Sequence, residues 1–307
     1  MKLYFAPMEG ITTATFRRTH AELFDGADAY FAPFLTPSDN EKITKKGIAG
    51  LLPDQNPQGT PRAQVLCNNA LAFHKFTEKI KCYGFSELNL NLGCPSNTVT
   101  RKGRGAGFLK DKTALSAFLD QIFAENDIRI SIKTRTGYES GEEMDELVSM
   151  YNRHPVSLLI VHARAGLDYY KSTPDLAAFR RAYGKSKHPL CYNGDICSAE
   201  DYNRIIAEFP DLDSVMIGRG ALKNPALFRE IRGGKPLATG ELIAFARKLC
   251  ENYLPVMGCE KYTLQKLKEI WVYVMQNFPD EPKLSKAIKK ANTLADFLSA
   301  VECLPEL

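Results

Sequence analysis

The stretch Ser157-Leu-Leu-Ile-Val-His162 decides the fold. Four successive aliphatic residues closed by a polar one leave a strand no solvent face. That is the pattern of a parallel strand covered on both sides. Val215-Met-Ile217, closed by Gly218, repeats it. Outward from these two, eight short β-type runs can be read at 2–7, 29–34, 62–67, 87–92, 129–133, 157–162, 189–193 and 214–218. Helical patterns lie between most of them, at 12–23, 70–83, 111–125, 141–153, 174–183, 199–208 and 224–232. Ser198-Ala-Glu-Asp201 has the polar cap and first-turn acids of a helix start. Eight β/α units in about 230 residues predict a (β/α)8 TIM barrel. A doubly wound sheet is the competing arrangement, but it usually carries GxGxxG after its first strand, and none is present.

After Gly233-Gly234 the strand signals stop, and helical periodicity covers 240–255, 261–277 and 283–300. The expected organisation is a barrel over 1–235 followed by a small all-helical unit over 240–307. At 307 residues the chain is long enough for both. With 44% hydrophobic and 25% charged residues it has the composition of a soluble globular protein. No apolar stretch approaches the roughly 18 residues of a membrane span. The N-terminus lacks the apolar segment of a signal peptide. Eight cysteines, at 67, 82, 94, 191, 197, 250, 259 and 303, include no CxxC pair. This speaks against a zinc site or disulfide framework and for a reducing, cytoplasmic setting, with no metal expected. The net charge of +4 permits an anionic partner without requiring one.

In a (β/α)8 barrel the chemistry sits at the C-terminal ends of the strands. Taken in order, those ends supply Pro7 and Met8, then Gln64, then Asn91 and Cys94, then Lys133 and Arg135. His162 and Arg164 follow, then Asn193, Gly194 and Asp195, and finally Gly218, Arg219 and Gly220. Each has an ordinary explanation alone: a lone strand-end Lys is commonly solvated, and a lone His is commonly a satisfied core residue. Together they form a polar, basic set with glycines after the last two strands, where such barrels bind phosphate. Lys223-Asn-Pro225 is expected to open the short helix that completes the phosphate site, with Pro225 as its first residue. A phosphate-bearing ligand with a planar polar ring is therefore expected over the barrel mouth.

A thiol faces that ring from the other side. Glu87-Leu-Asn-Leu-Asn-Leu92 alternates as a strand, and Gly93 and Pro95 bracket Cys94 at its tip. An isolated Cys is more often simply buried; here its position argues for a reactive group. The basic, glycine-rich segment Thr100-Arg-Lys-Gly-Arg-Gly-Ala-Gly107 follows and reads as a loop without rigidity of its own, able to close over a substrate.

These motifs resemble those of the dihydrouridine synthases, flavin enzymes that reduce uridines in transfer RNA. The resemblance spans nearly the whole chain. It is carried by Ala6-Pro-Met-Glu-Gly-Ile-Thr12, Asn91-Leu-Gly-Cys-Pro95, Ile132-Lys-Thr-Arg-Thr-Gly137, Val161-His-Ala-Arg164, Tyr192-Asn-Gly-Asp-Ile196 and Met216-Ile-Gly-Arg-Gly-Ala-Leu-Lys-Asn-Pro225, in the family's order. It implies bound FMN. The phosphate would lie near Asn193, Gly194, Gly218 and Arg219, with Pro7 and Asp195 alongside, and the ring against Met8, Gln64, Asn91, Lys133 and His162. It also implies NADPH as reductant, flavin N5 as hydride donor to uracil C6, and Cys94 as proton donor to C5. Transfer RNA would be the partner, its uridine drawn out of the stack. A barrel with one appended helical unit can work as a monomer, and that state is expected here. Arg101, Lys102, Arg104 and Arg164 would meet it at the mouth, and Lys266 and Lys268 on the helical unit. Lys110 and the other lysines between 261 and 290 add positive charge in the same two regions.

The chain departs from the family pattern at Thr98, where relatives carry Lys or Arg, and at Gly166 and Asp168, in place of Arg and Gln. It also carries Cys67-Asn68 where relatives have Gly-Ser. These departures leave open which uridine is reduced, and whether transfer or ribosomal RNA carries it. Two other classes remain: an FMN barrel acting on a small pyrimidine-like molecule, and a non-catalytic RNA-binding barrel.

Overall fold

The computed structural model describes residues 1–37, 45–56, 59–124 and 127–307. Eight parallel strands form one sheet: β1 (Lys2–Phe5), β2 (Ala29–Tyr30), β3 (Gln64–Val65), β4 (Glu87–Leu92), β5 (Arg129–Arg135), β6 (Leu159–His162), β7 (Leu190–Asn193) and β8 (Ser214–Ile217). Their order is β2-β1-β8-β7-β6-β5-β4-β3. Parallel bridges Phe31–Arg62 and Leu35–Val65 join its two ends, so the sheet closes into the expected barrel.

The expected two-sided burial holds. In β6, Leu159 and Val161 join the layer between strands and helices, whereas Ile160 packs inside the barrel with Tyr4, Phe31, Cys191 and Met216. In β4 the leucines face the helices, and Asn89 and Asn91 are buried among inward polar groups. There the side-chain amide of Gln64 donates to Asn89 Oδ1 (2.7 Å), that of Asn89 to Ser131 Oγ (2.9 Å) and that of Asn91 to Gln64 Oε1 (2.8 Å). This ladder satisfies each buried amide and fixes which atoms point up the barrel.

Around the sheet lie α1 (Ala14–Leu23), α2 (Lys45–Ala49), α3 (Ala70–Lys81), α4 (Asn97–Thr100), α5 (Lys112–Ala124), α6 (Met144–Tyr151), α7 (Leu176–Lys185) and α8 (Ala199–Glu208). Residue 125, the last of the helix expected over 111–125, lies outside the described residues. Ser198 caps α8 as expected, its Oγ accepting from Asp201 N–H at 3.1 Å.

Three expectations need correction. The helix after β8 is α9 (Arg219–Lys223), starting directly at the strand end, with α10 (Leu227–Ile231) after a break. Pro225 sits in that break and opens neither helix; its carbonyl faces His20 Nε2 at 2.9 Å. The segment 96–107 is not loose. It folds into α4 and a tight turn of helix over Gly105–Lys110, with residues 105–109 buried. The third C-terminal helix is two, α13 (Pro282–Lys290) and α14 (Leu294–Glu302). Thr293 ends the first option: its Oγ1 accepts from Asp296 N–H while the Asp296 carboxylate accepts from Thr293 N–H, a capping box that starts a new helix.

The other C-terminal helices, α11 (Thr239–Met257) and α12 (Glu260–Val274), follow the periodicity. They continue the barrel's own apolar layer: Phe245 packs edge-on against Phe16 of α1 (5.9 Å between ring centres), and fully buried Trp271 packs against Phe245 and Phe297. Tyr253 Oη and Thr13 Oγ1 share a 2.6 Å hydrogen bond across the same seam.

Candidate active site

At the C-terminal end of the barrel two cavities meet. The larger, about 570 Å3, is lined by Pro7 and Met8, by Asn193 through Cys197 after β7, and by Gly218 through Gly220 after β8. The smaller, about 240 Å3, is lined by Phe34, Gln64, Asn91, Cys94 and Arg135 among others. Pro7, Met8, Lys133, His162, Tyr170 and Tyr273 line both and mark where they join.

Every expected cofactor residue lines one cavity or the other. The Lys133 ammonium donates to Asn193 Oδ1 at 2.9 Å, and the Asn193 amide donates to Met216 O at 2.8 Å, so β5, β7 and β8 are tied across the mouth. Burial, reinforced by Arg135, pulls the Lys133 pKa down to about 8. Among the described residues no carboxylate pairs with it. His162 is held well below the usual histidine value by burial and by Lys133, Arg135, Arg164 and Arg219, so it is a neutral imidazole at pH 7. Burial alone would raise the Asp195 carboxyl; Arg164 and Arg219, both paired with it, hold it below the usual range. Asp195 takes a left-handed backbone (φ 35°), unusual for a residue other than glycine, in the loop the resemblance assigns to phosphate.

Cys94 is partly accessible, and burial raises its thiol above the ordinary cysteine value. It is a protonated acid at neutral pH. The Asn91 carboxamide oxygen accepts from the N–H of both Gly93 (3.0 Å) and Cys94 (2.9 Å), which fixes the turn that presents the thiol. The Cys94 carbonyl accepts from Ala106 N–H at 3.0 Å. Gly105 sits at φ 56°, and a Cβ there would stand 2.7 Å from that carbonyl.

The expected RNA contacts separate. Arg101 and Lys102 are exposed. Arg104 Nε donates to Asn68 Oδ1 at 3.2 Å. Lys266 donates to Gly10 O at 2.9 Å and pairs with Glu269, and Lys268 bonds the Ala291 carbonyl. Arg164 is the exception. It is 1% exposed, with its guanidinium held by Asp195 and the Ser172 carbonyl, and so stands behind the cavity wall rather than at an RNA-facing surface.

Three residues of the site were absent from the expected set. Tyr170 lies with its ring 5.9 Å from His162 and carries Arg135 and Arg219 over its faces (5.3 and 4.9 Å). Tyr273, near the end of α12, and Gln276, just beyond it, bring the helical unit to the larger cavity. Nothing in the local sequence marks these two as cavity-facing; only the packing of α12 against α9 does, through Asn277, whose side-chain amide donates to the Lys223 carbonyl (2.6 Å).

Comparison with known proteins completes the picture. The family profile described as "Dihydrouridine synthase (Dus)" matches residues 4–306. The chain belongs to the dihydrouridine synthase family. It is 26% identical to a tRNA-dihydrouridine(16) synthase of Shigella flexneri, over 99% of this chain and 98% of that one. It is also 26% identical to a tRNA-dihydrouridine synthase B of Pseudomonas aeruginosa, over 89% and 78%. Among solved structures its fold resembles that of TcOYE with pHBA (TM-score 0.57, 10% identity, 77% of this chain and 90% of that one). Morphinone reductase in complex with tetrahydroNAD is similar at TM-score 0.51 and 12% identity, over 77% and 88%. No helix among the described residues is long and apolar enough to cross a membrane.

Proposed function

We propose that this protein reduces a uridine of transfer RNA to 5,6-dihydrouridine, using FMN recharged by NADPH, with Cys94 as the proton donor. The observation that carries the reading is Lys133: a buried cation that pairs with no carboxylate among the described residues, at the junction of two cavities, with Cys94 lining the smaller one.

The residues fit FMN. The larger cavity is lined by the residues after β7 and β8, Arg219 among them, which would hold the phosphate. The polar ladder supports Gln64 and Asn91 at the smaller cavity, where a flavin edge would lie. When bound, FMN supplies the hydride. Lys133 would hold positive charge where negative charge develops on the ring; burial pulls its pKa down to about 8, and a neighbouring negative charge would favour the cation. Neutral His162 accepts or donates a hydrogen bond without adding charge. Cys94, which lines the smaller cavity, would deliver a proton to the base. A raised thiol pKa suits this role, because a group that must arrive protonated gains nothing from activation as a thiolate.

Three curated relatives carry transfer-RNA names, which supports that RNA as substrate. The deciding experiment incubates the holoprotein and NADPH with transfer RNA and ribosomal RNA, kept separate, from a strain lacking the gene. Dihydrouridine is then measured by mass spectrometry. Product in transfer RNA is expected. Product in ribosomal RNA alone would reassign the substrate, and FMN turnover with no RNA product would move the reading to a small pyrimidine-like substrate.

A further inference from the structure

The departures from the family pattern converge on one object, the segment that carries Cys94. On one side Asn68, in the loop after β3, reaches across to it. The Asn68 amide donates to the carbonyls of Lys102 (3.0 Å) and Gly103 (3.2 Å), and its Oδ1 accepts from Arg104 Nε (3.2 Å). Gly103 is left-handed (φ 61°), and a Cβ there would lie 3.5 Å from the Asn68 amide. On the other side Tyr169, in the loop after β6, donates its hydroxyl to Asn97 Oδ1 at 2.7 Å, three residues beyond Cys94.

Tyr169 is one of two described non-glycine residues with a positive φ (52°), a conformation kept only where the surroundings enforce it. The surroundings are visible. Arg135 donates through Nη2 to the Tyr169 carbonyl (2.8 Å), through Nη1 to Ala165 O (2.7 Å) and through Nε to Gly93 O (2.9 Å), directly before Cys94. Asp168 turns its own loop by accepting from Ala165 N–H at 2.9 Å. Gly166 lets that loop lie flat: a Cβ there would stand 2.9 Å from Tyr138 Cδ2 and 3.3 Å from the Ala106 methyl, inside the Cys94 segment.

We propose that Asn68 and Tyr169 are positioning residues for Cys94, a two-sided clamp that holds segment 94–107 in its working conformation before RNA arrives. Neither lines the two cavities, so neither is a catalytic residue. The proposal rests on the reading of function above. It replaces a loop that closes on substrate with one already in place: three side-chain hydrogen bonds from Asn68 and one from Tyr169 substitute for ordering that the RNA would otherwise have to supply. Preorganisation of an acid matters because small displacements of a reacting group cost rate steeply, up to about a hundredfold for 1 Å.

The test uses the holoprotein and the variants Asn68→Ala, Asn68→Asp and Tyr169→Phe. Flavin content shows that each folds. Tyr169→Phe keeps the ring and loses only the hydroxyl. Asn68→Asp keeps the acceptor for Arg104 but loses both donors to the 102 and 103 carbonyls. The NADPH-driven reduction of FMN does not involve Cys94 and should stay within twofold of wild type in all three. Single-turnover transfer from pre-reduced FMN to transfer RNA should slow about tenfold. Alkylation of Cys94 by iodoacetamide, followed on its own peptide, should accelerate severalfold as the segment loosens. Asn68→Asp should behave like Asn68→Ala, which separates the loop clamp from a tether for Arg104 alone. Wild-type turnover with all three variants at wild-type transfer and alkylation rates overturns the clamp and leaves the function standing. Absence of RNA product from the wild-type holoprotein overturns the function, and the clamp with it.

Discussion

Replacing Lys133 by Met should make the cofactor-free protein more stable, although it removes a residue central to the site. The ammonium is enclosed at the joined cavities, with Asn193 Oδ1 as its hydrogen-bond acceptor and Arg135 nearby. The drop from 10.5 to about 8 corresponds to about 3 kcal/mol at 1.36 kcal/mol per tenfold change in proton affinity. The side chain retains some access to cavity water, which lowers the penalty to about 2 kcal/mol. Because the folded-state pKa is depressed, the penalty is fully present below about pH 8. It fades as pH rises from 8 towards 10.5, where the unfolded chain still binds the proton and the folded protein does not. The stability of the wild type relative to the variant should therefore rise across that window. Lys133→Met at pH 7 should melt about 3 °C higher without FMN. With FMN at about a hundred times its Kd, ligand linkage adds about 2.7 kcal/mol to the wild type and much less to the variant, reversing the order. Calorimetric melts of both proteins, with and without FMN, at pH 7 and across pH 8–10.5, measure all of this. A cofactor-free variant less stable than wild type at pH 7, or a stability difference that does not change with pH, would refute the reasoning.

Cys94→Ala should keep FMN and its reduction by NADPH while lowering RNA product formation by about 10²–10⁴-fold, measured as single-turnover dihydrouridine yield. In the wild type the burial-raised thiol should keep that yield level through neutral pH, with a decline only above the ordinary cysteine range, as the acid loses its proton. Gly105→Ala forces a Cβ to 2.7 Å from the Cys94 carbonyl at φ 56°. It should cost about 1–3 kcal/mol in a denaturant melt and slow RNA reduction more than FMN reduction. Arg101→Ala with Lys102→Ala should weaken transfer-RNA binding and reduce the salt dependence of log K by about 1.5, leaving flavin affinity unchanged in a fluorescence titration.

The barrel was legible because its strands carry two readable signals. Continuous apolar runs such as Leu158-Leu-Ile-Val161 need cover on both faces, and the Leu/Asn alternation of β4 shows which face meets the helices and which carries the polar ladder. The strand-end residues of the site followed from fold geometry, and the resemblance gave them roles. The errors arose where tertiary contacts overrode local propensity. Pro225 is well suited to a first helical position, but the helix starts earlier, at Arg219, against α12. The glycines of 103–107 suggest freedom, yet two of them use positive φ to pack rather than to move. Arg164 has the composition of an RNA contact, but its partner Asp195 comes from the next strand and draws it inside. Tyr273 and Gln276 were invisible because their relation to the mouth exists only after α12 has docked.

That docking has a consequence for the order in which the chain can mature. β1 pairs with β2 on one side and with β8, some 210 residues later, on the other. The apolar face of α1 is covered by α11, which begins at residue 239. A chain emerging from the ribosome thus carries an N-terminal strand and helix that cannot be sealed until the last fifth has been made. Distant closures of this kind are slow and leave sticky surfaces exposed meanwhile. Truncation of the C-terminal helices should therefore yield an insoluble barrel rather than one that merely fails to hold RNA.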